Sequence, residues 1–218
     1  MSNIKHHLTD ELLMSYAAGS LDEGFSLVVA THVSMCDDCR ARSEAYEAVG
    51  GAMVDQCEVV QLSDHALDQT FALIDAMPDK PDAPWVENRS KDDVFPTPLQ
   101  DYVGGDLDKV KWRSLGGGVM QAVLKTAGED KVRLLRIPGG TAMPDHGHRG
   151  LELTMVLKGA FEDDDGHFGR GDVEVANEDL HHTPVAVAGE DCICLAATDA
   201  PLRFKGLMPR IAQPFLGI

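Results

Sequence analysis

His32-Val33-Ser34-Met35-Cys36-Asp37-Asp38-Cys39 holds one imidazole and two thiols in an H-x3-C-x2-C spacing. His32 and Cys36 lie one helical turn apart, and Cys36 to Cys39 has the step of a knuckle that runs from a loop into a helix. A cysteine at a helix start is favoured as thiolate by the dipole there. Zinc takes four ligands of this kind, so the segment supplies three and the fourth must come from elsewhere. His6 and His7 are the nearest candidates. The bland alternative is a helix with two incidental cysteines and a surface histidine. The correctly placed His32 and the upstream histidine pair favour metal. A small helical module with a limited core also gains from a metal staple.

A second constellation lies in Asp145-His146-Gly147-His148-Arg149-Gly150-Leu151-Glu152. In an extended chain, alternation around Gly147 sends both imidazoles to one side. Glu152 returns to the same place after a bend, with Gly150 and later Gly159 allowing tight turns. Two imidazoles and a carboxylate suit zinc, iron, manganese, nickel or copper. Cys192 and Cys194 share one face of a strand. They read as small core residues, the alternative being a redox-active thiol pair beside a pocket.

The elements that carry these groups change character along the chain. Up to about residue 77 the apolar spacing is helical. Thr9 is placed to cap a first helix ending at Gly19. Ser20 and Glu23 have the pattern of a capping box for a second, which carries Phe25, Leu27, Val28 and His32. A third helix begins near Cys36–Asp37, and Ser63 is placed to cap a fourth with Leu67, Phe71, Ile74 and Met77 on one face. Pro78, Pro81, Pro84, Pro96 and Pro98 mark a linker, and Trp85 and Phe95 within it could dock it on a domain in places. From about residue 99, short apolar runs separated by Gly and acidic turns read as strands of a sandwich or barrel. The expected division is a helical domain over 1–85, a Pro-rich linker over 86–98, a β domain over 99–205 and a tail over 206–218.

Composition excludes several classes. Hydrophobic residues are 44% and charged residues 25%, ordinary for a globular chain. No apolar run reaches the roughly 20 residues of a membrane span, and no signal-peptide pattern opens the chain, so a cytoplasmic protein is expected. The net charge is −17, and residues 1–80 hold four basic against fourteen acidic residues. Such a surface repels nucleic acid, which disfavours a DNA-binding zinc protein and favours a basic protein partner. Five closely spaced cysteines in a cytoplasmic chain suggest metal or redox chemistry before disulfides.

His7, His32, Cys36 and Cys39, set in four short N-terminal helices, resemble the zinc-binding anti-sigma factors, whose upstream histidine falls on His7. The stretch Gly140–Glu152 with Gly159 resembles the first cupin motif. Gly171–Pro184 resembles the second, with Asn177-Glu178-Asp179 in place of its usual Pro-x-Gly turn. That resemblance puts a fourth barrel ligand at His182 and turns His181 the other way. Together the two parts resemble the ChrR-type family of zinc-binding anti-sigma factors with a C-terminal cupin domain. The resemblance implies a two-domain α+β fold, a four-helix zinc-binding anti-sigma domain followed by a cupin β-barrel (a double-stranded β-helix). It implies zinc at His7, His32, Cys36 and Cys39, and zinc or another divalent transition metal at His146, His148, Glu152 and His182. The implied partner is a group IV (extracytoplasmic-function) sigma factor, inhibited until singlet oxygen or organic peroxide ends the inhibition. No catalysis is needed for that role, and the inhibitory function is expected in residues 1–85. The competing reading is a metal-dependent cupin enzyme, a dioxygenase or isomerase, with the helical zinc module as a regulatory piece. A barrel with a vestigial site is the bland alternative.

Overall fold

The computed structural model describes residues 4–78, 90, 92–128 and 130–204. Trp85, residues 86–89 and 91 of the expected linker, and the tail over 206–218 lie outside them. The helices are α1 (Asp10–Ala17), α2 (Glu23–Val33), α3 (Asp37–Val54), α4 (Ala66–Asp75) and α5 (Thr97–Val103). Thr9 caps α1 as expected, its side chain accepting from the Leu12 amide at 3.4 Å. Gly19 leaves the helix at φ 66°. Two expected caps are not made. Asp22, not Ser20, is the cap residue of α2. The Glu23 carboxylate accepts from the Tyr102 hydroxyl at 3.1 Å and from the Ala127 amide, so it ties α2 to the β domain. His65, not Ser63, precedes α4.

The region expected to open with strands opens instead with α5. Pro98 lies in its first turn, where a missing N–H costs nothing, and Gly104 ends it in the left-handed conformation. Phe95 and Leu99, 1% and 0% exposed, pin this segment to the core.

The strands are β1 (Arg113–Gly116), β2 (Val119–Leu124), β3 (Lys131–Ile137), β4 (His146–Gly147), β5 (Glu152–Lys158) and β6 (Ala160–Asp163). They continue as β7 (Gly166–Gly169), β8 (Val173–Ala176), β9 (His181–His182), β10 (Val185–Ala186), β11 (Cys192–Thr198) and β12 (Arg203–Phe204). A six-stranded sheet has the order β1-β2-β3-β11-β5-β8, and two three-stranded sheets, β10-β6-β7 and β12-β4-β9, complete the barrel.

Strand β11, in the middle of the six-stranded sheet, is buried at every position and hence on both faces, which explains its run of apolar residues. The sheet's inner face places Ile137, Val156, Cys192 and Cys194 with Phe161 and Phe168 in one core cluster. Its outer face places Leu134, Leu153, Met155, Ile193 and Leu195 in a second cluster with Leu13, Phe25, Val28 and Val29 of the helices. The helices and the barrel therefore share one apolar core.

Gly24 sits where α2 meets the barrel, and its amide donates to the Asp130 carboxylate. A Cβ at this position would collide with Asp130 and Val132. Gly24→Ala is expected to cost about 1–3 kcal/mol of overpacking. An unchanged chemical-denaturation midpoint would show that the helices do not bear on the barrel here.

Helix α4 differs from the rest, because none of its residues is buried. Leu67, Phe71 and Ile74 are 66%, 56% and 55% exposed, and Val49, Met53 and Met77 are exposed as well. No helix among the described residues is long and apolar enough to cross a membrane.

Candidate metal centres

The turn from α2 into α3 builds the first centre. Cys36 is the cap residue of α3, its Sγ accepting from the Cys39 amide at 3.5 Å. His7 arrives from the strap before α1, with Nδ1 3.3 Å from Cys36 Sγ and 3.6 Å from Cys39 Sγ. His32 is fully buried, and its Nδ1 lies 2.9 Å from the Gly171 carbonyl. A carbonyl only accepts, so Nδ1 carries the proton and Nε2 offers its lone pair. That Nε2 is buried with no hydrogen-bond partner. One donor atom from each of His7, His32, Cys36 and Cys39 lies within 4.8 Å of the others. Two sulfurs and two imidazole nitrogens in such a group suit zinc, and the orphaned Nε2 is the atom a metal would satisfy.

His6 is elsewhere, its ring packed at a tilt against Phe168 at a centroid distance of 4.2 Å. Burial lowers the His32 pKa to about 4, against the opposing Gly171 hydrogen bond, so its ring is neutral at pH 7. Burial also raises the Cys39 thiol to about 11. A metal must displace that proton, so uptake weakens as pH falls.

The second centre lies inside the barrel, where β4 and β9 pair in antiparallel register, His146 opposite His182. The His182 Nε2 is 3.2 Å from His146 Nε2 and 3.3 Å from His148 Nε2. His181 is exposed and His182 buried, the alternation of an extended pair. The Asn177–Asp179 turn forms through Asn177 Oδ1, which accepts from the Asp179 amide at 3.0 Å.

Glu152 is not drawn into the histidine cluster. Its carboxylate lies 3.7 Å from His148 Nδ1, on the far side of that ring, and accepts from the Thr154 hydroxyl at 3.1 Å. Two acids that sequence reasoning did not single out complete the site. Asp163 is 2.8 Å and Glu174 3.2 Å from His182 Nδ1. Glu174 had a signal, as a lone acid in the apolar strand Val173-Glu174-Val175-Ala176. Asp163 had none, being hidden in the acidic run Glu162–Asp165.

Burial lowers His146 and His148 to about 4, so both rings are neutral at pH 7. Burial opposes a charge on His182 too, but Glu174 and Asp163 outweigh it and raise its pKa to about 9. Burial raises Glu174 to about 7. His146 Nδ1 donates to the Pro144 carbonyl at 2.8 Å, which leaves its Nε2 without a proton. Three facing Nε2 atoms on two neutral rings and a third whose far nitrogen is held by Asp163 and Glu174 fit a divalent ion.

His146 and His182 open on a cavity of about 490 Å³, lined mainly by apolar side chains such as Leu115, Val119, Leu135, Ile137, Met143 and Phe161. Cys194 reaches its wall. The Cys192 and Cys194 sulfurs are 3.5 Å apart and both residues are buried. The neighbouring Cys192 and then burial push the Cys194 thiol well up, which keeps it protonated.

Comparison with known proteins adds three findings. Residues 100–201 match the family described as ChrR Cupin-like domain. The anti-sigma-E factor ChrR of Cereibacter sphaeroides is 57% identical over 215 residues, covering 99% of each chain. A crystal structure of Rhodobacter sphaeroides SigE in complex with the anti-sigma ChrR contains a chain 54% identical, with TM-score 0.79. That match covers 90% of this chain and all of the other.

Proposed function

The chain belongs to the ChrR family of anti-sigma factors, and on that premise we propose that it binds and inhibits a group IV sigma factor in the cytoplasm. Its barrel centre then serves to end inhibition on photooxidative stress, by singlet oxygen or organic peroxide. The observation that carries this reading is the exposed apolar face of α4 together with the end of α3. Leu67, Phe71 and Ile74 share one exposed face of α4 at spacings of four and three, and an exposed apolar face of this kind marks an interaction site. The acidic charge of residues 1–80 supports the same partner, because sigma regions that contact promoter phosphates are basic.

We assign the N-terminal centre to zinc, held by His7, His32, Cys36 and Cys39 as a structural staple. For the barrel we assign zinc or another divalent transition metal, held by His146, His148 and His182, which Glu152 joins as fourth ligand only by turning its carboxylate from the Nδ1 side of His148. A metal there supplies a Lewis-acidic position facing the cavity. The cavity suits a small, mostly apolar molecule. The role is regulatory and needs no turnover.

Phe71→Asp and Ile74→Asp place charges in the proposed interface without touching either centre or the shared core. Each is expected to cost about 2 kcal/mol or more of sigma binding, roughly thirty-fold in affinity. Binding by the parent protein should also weaken as salt rises. A transcription assay titrated with each variant checks this, and wild-type inhibition by both would refute the assignment of the surface.

A further inference from the structure

The N-terminal centre is not built from the N-terminal residues alone. The turn between β7 and β8 closes over it from the barrel. Gly171 O accepts from His32 Nδ1 at 2.9 Å. Asp172 Oδ1 accepts from the backbone amides of Lys5 at 2.6 Å and His6 at 2.9 Å. The Val173 amide donates to His6 O at 3.2 Å. These bonds hold the strap immediately before His7.

The turn is itself firmly seated. Asp172 Oδ2 accepts from the Gly169 amide at 2.8 Å. The Gly171 amide donates to Val156 O at 2.8 Å and the Val156 amide to Asp172 O at 3.0 Å, which locks the turn to β5. Gly171 has φ 93°, and a Cβ there would strike the Ile4 side chain, so the turn packs directly against the strap.

We propose that the turn Gly169–Val173 is a positioning clamp for the N-terminal metal centre, aiming His32 and anchoring His7, so that the barrel sets how tightly that centre holds its metal. The proposal rests on the reading that His7, His32, Cys36 and Cys39 bind a metal. Hydrogen bonds to the far nitrogen of a ligating imidazole fix its orientation and raise its basicity, and their loss commonly costs about 10–100-fold in affinity. Here one turn acts on two of the four ligands.

The clamp is also contiguous with the barrel interior. Phe168, against which the His6 ring packs at a tilt, is stacked on Phe161 at 4.8 Å with planes 13° apart, and Phe161 lines the cavity. Glu174, two residues beyond Asp172, touches His182. A displacement of the barrel wall would therefore reach the strap that carries His7.

The test uses the full chain loaded with cobalt(II). Thiolate-to-cobalt absorption reports the cysteine-containing centre and is not given by an all-histidine cluster. Asp172→Ala removes the acceptor from the barrel side. Lys5→Pro removes one donor from the strap side and leaves the barrel untouched. Both variants are expected to bind cobalt about 10–100-fold more weakly in chelator competition, with the cobalt-free thermal midpoint of Lys5→Pro unchanged. Wild-type affinity in Lys5→Pro overturns the proposal, and it does so even if Asp172→Ala is weakened or fails to fold, because the effect would then come from the Gly169 turn alone. If the wild-type protein gives no thiolate–cobalt band, the underlying metal reading has failed instead.

Discussion

Cys39→Ala is expected to remove one zinc per chain from the purified protein and to loosen α1 through α3. Cys39 is fully buried and belongs to the same cluster as Leu8, Leu12 and Leu13. Its loss leaves three donors and a cavity. Structural zinc contributes about 10–16 kcal/mol of binding free energy in small zinc peptides, while a whole domain is stable by only about 5–15 kcal/mol. Removing a ligand therefore threatens the fold of this module and not only its metal content. Sigma inhibition should fall with it, because α3 leads directly into the exposed apolar surface. Cys57→Ala is the control, since Cys57 is exposed and outside the cluster. Metal analysis and circular dichroism check the result. Unchanged zinc content in Cys39→Ala would falsify the ligand assignment.

The double variant His146→Ala/His148→Ala is expected to repress a sigma-dependent reporter normally in unstressed cells and to show little induction under singlet oxygen. Two of the three facing Nε2 atoms vanish, leaving His182 with its carboxylate partners alone. A signal can end inhibition only if it favours a state with lower sigma affinity, and the barrel centre is the place where a small molecule could act differentially. Normal repression beforehand separates loss of sensing from loss of folding, because a collapsed barrel would also release α2 from β11 and β5. Full induction in this variant would make the barrel metal incidental and move the sensing role to the Cys192–Cys194 pair or the N-terminal thiols.

The local chemistry was legible in the sequence because it is local. The step from His32 to Cys36 is set by helix geometry, and the knuckle to Cys39 by the start of α3. Alternation separates His181 from His182, whichever sheet they join. The apolar runs at 119–124, 132–137, 153–157 and 192–195 fell within β2, β3, β5 and β11, since period and turn residues fix strands before any partner is known.

Four things needed the tertiary structure. Propensity around Pro96 and Pro98 reads as a break, yet burial of Phe95 and Leu99 turns the same prolines into the opening of α5. Glu23 has the spacing of a capping residue, but Tyr102 and Ala127, distant in sequence, take its carboxylate. Glu174 and Asp163 become partners of His182 only when β6, β8 and β9 converge. The largest difference lies between the helices and the barrel. A linker rich in proline reads as a separation between two domains. What no local pattern carries is that the outer face of β11 is as apolar as its inner face, so it must be covered. The helices cover it, and that contact places Gly171 and Asp172 against His32 and the strap before His7. A sequence specifies which groups bind a metal; which distant backbone aims them is decided only when two buried faces meet.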